Sequence, residues 1–184
     1  ILALYPEKNF TVRLLSYKTH VPQFIEEFQC HSNIRFEEVK NINNLIDGTD
    51  AVISCITNAE GILAEDSCFK PGITVIPVHT KGFQNCDLFF DKVFADDRDH
   101  VKNFRHFERF RQFGEIAPVL AGKTAGRTSP EERILSYNIG LGLHDIVFAK
   151  HIYDRLIHVE EQKEKSPPFI SGKRHACPDQ LISS

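Results

Sequence analysis

The chain has 184 residues, 41% hydrophobic and 26% charged, with a formal net charge of −3. That is the make-up of an ordinary globular protein, long enough for one domain with an appendage. It holds no uninterrupted apolar run of the ~18 residues that a membrane helix needs, and a weakly acidic chain has no electrostatic reason to bind nucleic acid or an anionic membrane.

The first six residues, ILALYP, carry no basic region and only a short apolar run, unlike a signal peptide. With no methionine anywhere, the start is expected to be an artificial boundary. Residues 11–15 (TVRLL) then predict a strand. Residues 21–29 predict a short helix with Val21, Phe24, Ile25 and Phe28 on one face. Residues 34–39 predict a second strand, and residues 41–46 a helical turn closed by Asp47 and Gly48. Residues 50–56 (DAVISCI) and 73–78 (ITVIPV) are nearly continuous apolar runs, the pattern of strands buried on both faces. Residues 92–95 predict a further short strand. This alternation predicts an α/β fold, a Rossmann-like doubly wound parallel sheet, with ligands at the carboxyl ends of the strands. The loops at residues 16–20, 57–61 and 79–84 are therefore the ones to watch.

Residues 97–113 interleave Arg105, Arg109 and Arg111 with Phe104, Phe107, Phe110 and Phe113. Such a stretch can stack on bases, but the balancing Asp96, Asp97, Asp99 and Glu108 favour an amphipathic helix with its apolar face buried. Residues 114–128 read as a loop. Ser129, Pro130, Glu131 and Glu132 form a capping box, which predicts a long helix running to about His158. Leu135, Ile139, Gly142, Ile146, Ala149, Tyr153 and Leu156 follow its period. Gly140 and Gly142 inside a helix cost roughly 1 kcal/mol each against Ala, so close approach of another element or a ligand is expected there. From residue 159 the pattern ends in a polar segment that predicts a flexible tail.

Three features imitate function. Residues 117–124 (APVLAGKT) end like a phosphate-binding loop, but the first Gly of that motif is Ala117 and no helix start follows. His144, His151 and His158 lie seven residues apart on one helix, about 10 Å per step, too far to share a metal. The five cysteines, Cys30, Cys55, Cys68, Cys86 and Cys177, are odd in number with no close pair. They predict reduced thiols and a cytoplasmic protein, with neither a disulfide framework nor a metal site.

The stretch GEIAPVLAGKTAGRTSPEERILSYNIGLGLHDIVFAKHIYDRL, residues 114–156, resembles the carboxyl-terminal signature of the ornithine cyclodeaminase/mu-crystallin family. The matching positions are Glu115, Gly126 with Arg127, residues 129–132, Gly140 and Gly142, and Asp145 with Ala149. Residues 50–88 fit the second half of the family's nucleotide domain, and the resemblance spans roughly residues 10–157. It implies a partial Rossmann domain at residues 1–113, a loop and helix at 114–158 returning to a substrate and dimer domain, and a tail at 159–184. The family's G-x-G-x-x-G loop has no counterpart here, so the chain alone is expected to bind a nicotinamide cofactor poorly.

The resemblance implies NAD or NADP as cofactor, a small amino-acid or imino-acid substrate, and a homodimer in the full-length protein. After the first strand, where an acid usually reads the ribose, stand Ser16, Tyr17 and Lys18. Loss of the acid and the presence of Lys18 lean toward NADP; the plainer reading of Lys18 is a solvated loop lysine. Thr57 and Asn58 match the loop that touches the cofactor ribose, Asn58 otherwise capping a turn. Val78 and Gly142 join them as cofactor-binding candidates. His79 is the catalytic candidate. Cyclodeaminases of the family carry an Asp there, and a His can move a proton near neutral pH but cannot hold a substrate ammonium with a carboxylate. That departure shifts the expectation from ornithine cyclisation toward imine reduction or amino-acid dehydrogenation. It also sustains an alternative, a non-catalytic mu-crystallin-like ligand-binding protein. A stand-alone interaction domain is a third reading.

Overall fold

The computed structural model describes residues 5–56, 62–78 and 87–165. They divide after Leu45 into two compact units, the second spanning Ile46–Lys165. In the first, strand β1 (Phe10–Leu15) and strand β2 (Ile34–Val39) pair in parallel, Phe10 beside Ile34 through Leu15 beside Val39. Helix α1 (His20–Phe28) connects them. Its apolar face is the predicted one: Val21 is buried, and Phe24 packs on Phe28 and edge-on against Phe36 of β2. A parallel pair needs such a crossover, because a tight turn can join only antiparallel strands. Cys30 is disulfide-bonded, which corrects the expectation of wholly reduced cysteines; Cys55 and Cys68 are free.

A short helix, α2 (Ile42–Ile46), leads into the second unit. There β3 (Ala51–Ser54), β4 (Thr74–Pro77), β5 (Lys92–Ala95), β6 (Phe113–Glu115) and β7 (Ile134–Tyr137) form one all-parallel sheet in the order β3-β4-β7-β5-β6. The strands predicted at 50–56, 73–78 and 92–95 are present. The first of them is not buried on both faces, however. β3 ends the sheet, Val52 and Ser54 face inward and Ile53 is 56% exposed.

The largest correction concerns residues 129–141. They do not open a helix. Residues 134–137 enter the centre of the sheet as β7, all four buried between β4 and β5. Helix α5 starts only at Gly142 and runs to Lys165. Burial overrode helical period: Ile134, Leu135 and Tyr137 remove far more apolar surface from water in a two-sided strand slot than on a surface helix. The supposed capping residues make a turn instead. The Thr128 N–H and hydroxyl both donate to the Glu132 carboxylate. Those bonds, joined by Lys92 at 3.0 Å, hold the Glu132 pKa down at about 2. Lys92 also donates to the Gly126 carbonyl and to Thr128 Oγ1, each at 2.9 Å. At Gly72 (φ +83°) a Cβ would strike the Pro130 carbonyl, so only glycine lets this turn lie over the start of β4.

Residues 97–113 are also not one helix. Helix α3 spans only Arg98–Val101, a 3₁₀ turn follows at Phe107–Arg109, and the segment ends in β6. The phenylalanines, spaced by three, turn inward in different directions. Phe104 packs edge-on against Tyr137, while Phe107 packs against Phe110 and Phe113. A continuous helix cannot make both sets of contacts. The predicted loop that follows contains helix α4 (Ile116–Leu120).

Candidate functional site

Because every strand of the second unit runs the same way, all five carboxyl ends emerge on one edge. Register fixes their order. Ser54 lies beside Pro77, Ala95 beside Tyr137 and beside Glu115. The Asn138 N–H donates to the Pro77 carbonyl at 2.9 Å, and the Asp96 N–H to the Tyr137 carbonyl at 3.0 Å. The first residues past the strands therefore line up as Cys55, Val78, Asn138, Asp96 and Ile116. Of the residues singled out in the sequence, Val78 stands on this edge and is 43% exposed. Gly142 stands four residues past Asn138, at the exposed start of α5. Thr57, Asn58 and His79 lie outside the described residues.

The turn from β7 to α5, residues 138–142, is the best-defined part of the edge. Asn138 turns its amide back onto the Ser136 carbonyl (2.9 Å) and hydroxyl (3.2 Å). Gly140 has φ +103°, a conformation that L side chains rarely adopt. No described atom lies within 4 Å of a Cβ built at Gly140 or Gly142. Among the described residues, then, neither glycine is needed to let another segment approach. Across the turn, Asp96 Oδ2 accepts from the Gly140 N–H at 2.6 Å.

Asp96 escaped the sequence reading, which counted it among charges balancing the nearby arginines. The available signal was its place as the first residue after the β5 strand, where ligand-site residues stand in parallel sheets. Its neighbours anchor the same corner. Asp97 caps α3 by accepting from the Asp99 N–H, and Glu115 Oε1 accepts from the Arg98 N–H at 3.1 Å.

In the first unit, Ser16, Tyr17 and Lys18 stand together just past β1. The Ser16 N–H donates to the Val39 carbonyl at 2.7 Å, extending the pairing by one residue. Lys18 has φ +51°, unusual for a residue with a side chain. Its ammonium lies 5.0 Å from the centre of the Tyr17 ring, which stacks on His20 at 5.6 Å. Tyr17 is 60% exposed. The result is an aromatic shelf with a cation over it and no carboxylate among residues 16–20.

Other features are weaker. A cavity of about 460 Å³ beside β5 and β6 is lined by Lys92, Phe94, Gln112, Gly114 and Pro118 among others, but its lysine is already committed to Glu132. Among the described residues no three His, Cys, Asp or Glu side chains group to hold a metal, and no helix is long and apolar enough to cross a membrane.

Comparison with known proteins adds a family. The sequence profile of the ornithine cyclodeaminase/mu-crystallin family matches residues 11–160. The nodulation efficiency protein NfeD of Rhizobium meliloti is 25% identical over 130 residues, 67% of this chain and 41% of that protein. Among solved structures, the fold is similar to Δ1-pyrroline-2-carboxylate reductase of Thermococcus litoralis, in complex with NADH and L-proline. The TM-score is 0.67 at 18% identity, over 83% of this chain and 51% of that one. It is also similar to the iminosuccinate reductase of Paracoccus denitrificans in complex with NAD+, with a TM-score of 0.66 at 17% identity, over 83% and 50%. The chain thus spans about half the length of these relatives.

Proposed function

The chain belongs to the ornithine cyclodeaminase/mu-crystallin family, and on that premise we propose that it forms the cofactor-binding part of an NAD(P)-dependent enzyme that exchanges hydride with a small amino or imino acid. The observation that carries the reading is the carboxyl edge itself. Val78, Asn138 and Asp96 are aligned on adjacent parallel strands, with an open glycine turn beside them. Such edges are where open parallel sheets take nucleotides, and the two solved relatives above carry NADH and NAD+.

On the second unit's carboxyl edge, Val78 and Gly140 are open to a cofactor. In the first unit, Lys18 offers a cation for a 2′-phosphate. Thr57 and Asn58 are assigned to the ribose, and Val78 with the 138–142 turn to the nicotinamide end. When bound, the nicotinamide supplies or accepts the hydride exchanged with the substrate α-carbon. His79, next in the chain after Val78, carries the proton. In the reducing direction the imine carbon gains the hydride and the imine nitrogen gains that proton; in the oxidising direction both leave. An imidazole serves both directions near pH 7, giving the proton as imidazolium and taking it as the neutral base. Imine reduction or amino-acid dehydrogenation thereby takes precedence over ornithine cyclisation. From Gly142 the chain leads into the substrate and dimer domain.

The test is a titration of the full-length protein with NADH and with NADPH, followed by nicotinamide fluorescence, and then turnover of cyclic and acyclic imino acids. Binding of either nucleotide is expected, with NADPH the tighter. Lys18→Ala is expected to weaken NADPH roughly tenfold while leaving NADH within about twofold, the loss of one charge-assisted contact. Binding of neither nucleotide would sink the enzyme reading and leave the ligand-binding alternative. Binding without turnover would favour that alternative too.

A further inference from the structure

Asp96 is the most heavily committed side chain on the carboxyl edge. Only 4% of it is exposed. Oδ2 accepts from the Gly140 N–H at 2.6 Å, and Oδ1 accepts from the Asp97 N–H at 2.9 Å. His100 Nδ1 stands 3.7 Å from Oδ1. Among the described residues no lysine or arginine pairs with it. A buried carboxylate held chiefly by backbone N–H groups is costly unless each oxygen is well satisfied. Here one oxygen is devoted wholly to a glycine 44 positions further on. What that bond holds is a turn that needs glycine: Gly140 has φ +103°, and among the described residues no atom would meet a side chain there. A carboxylate that served packing would be expected to hold its partner against other side chains. This one fixes the backbone of the turn through a single N–H.

We infer that Asp96 is the positioning residue of the turn between β7 and α5, fixing through the Gly140 N–H the backbone that receives the nicotinamide end of the cofactor. The inference rests on the reading that the edge binds NAD(P). Asp96 touches no reacting atom; it acts through residues 138–142. His100 and the Asp97 N–H set the carboxylate's other oxygen, so that its plane points at Gly140.

The experiment compares NADH with ADP-ribose, which keeps the adenosine diphosphate and lacks nicotinamide. Dissociation constants for both are measured in the full-length protein and in its Asp96→Asn and Asp96→Ala forms. Asp96→Ala is expected to weaken NADH at least tenfold and leave ADP-ribose within about twofold, the usual loss for a buried charge-assisted bond. Asp96→Asn keeps one acceptor oxygen and is expected to fall between. Equal NADH affinity in all three proteins overturns the inference while leaving the NAD(P) reading intact. A parallel fall for both ligands in Asp96→Asn also overturns it, since that marks a contact holding the whole unit. Absence of NADH binding in the unsubstituted protein removes the reading and the inference with it. Should Asp96→Ala fail to fold, the Asp96→Asn comparison decides alone.

Discussion

Asp87 shows at residue scale how a buried charge writes itself into stability. It has no exposed surface, and neither carboxylate oxygen has a hydrogen-bond partner among the described residues. Burial raises its pKa from 3.8 to about 7, against the pull of the nearby backbone N–H groups of Asp87 and Leu88 and of the Arg109 charge. The folded state thus holds its proton more tightly than the unfolded one. Stability from this group is complete below about pH 4, falls as pH rises from 4 to 7, and levels off above 7. Within that window the slope is about 1.4 kcal/mol per pH unit. Asp87→Asn keeps the shape and cannot ionise, so the variant should lose the slope and be the more stable protein at pH 8. Urea melts of both proteins at pH 5, 6, 7 and 8 check this; parallel profiles would show that Asp87 stays charged. Glu132 acts in the opposite sense. Its pKa is lowered to about 2, so its contribution is present above about pH 4.5 and fades below.

At the scale of elements, the contrast between β7 and β3 explains what could be read from the letters. Residues 73–78 and 92–95 are apolar runs bounded by turn residues, and such runs have few places to go but a sheet; β4 and β5 lie there. Residues 134–137 send a mixed signal. Leu135 lies in helical phase with Ile139 and Ile146, and residues 129–132 look like a cap. What decides is a slot between β4 and β5 that no local pattern contains. The edge position of β3 is likewise set by pairing, not by its own apolar sequence. Site residues follow the same division. Ser16, Tyr17, Lys18 and Val78 could be placed at strand ends because β1 and β4 were legible, and Asp96 could have been placed the same way after β5, whereas its partner turn at 138–142 depends on β7, which was not. The energetic counterpart is direct. Leu135 has no exposed surface and Ile53 is 56% exposed. Leu135→Ala should cost about 2–5 kcal/mol, and Ile53→Ala less than about 1 kcal/mol, both read from urea unfolding midpoints. Similar costs would show that β7 is not the central strand.

For the whole molecule the telling element is α5. Its 24 residues make a rod about 36 Å long. Leu143, Ile146, Phe148, Ile152, Tyr153 and Leu156 are each 59–67% exposed. At 100° per residue His144, His151 and Arg155 share one narrow stripe, and over residues 143–157 apolar side chains occupy much of the remaining circumference, interrupted by Asp145, Lys150 and Asp154. A helix apolar over so much of its surface belongs inside a larger assembly, and the chain matches only about half the length of its relatives. The 184-residue chain by itself should therefore associate through α5. The double variant Phe148→Glu with Ile152→Lys places a favourable i, i+4 pair on the helix. It replaces side chains 67% and 60% exposed, so folding stability should change by less than about 0.5 kcal/mol. Sedimentation velocity at micromolar concentration should then show the unsubstituted chain self-associating and the double variant sedimenting as a monomer. If the unsubstituted chain is monomeric, or if both associate alike, the exposed face of α5 is not what the chain uses to find a partner, and the surface that makes it whole must be sought on the sheet.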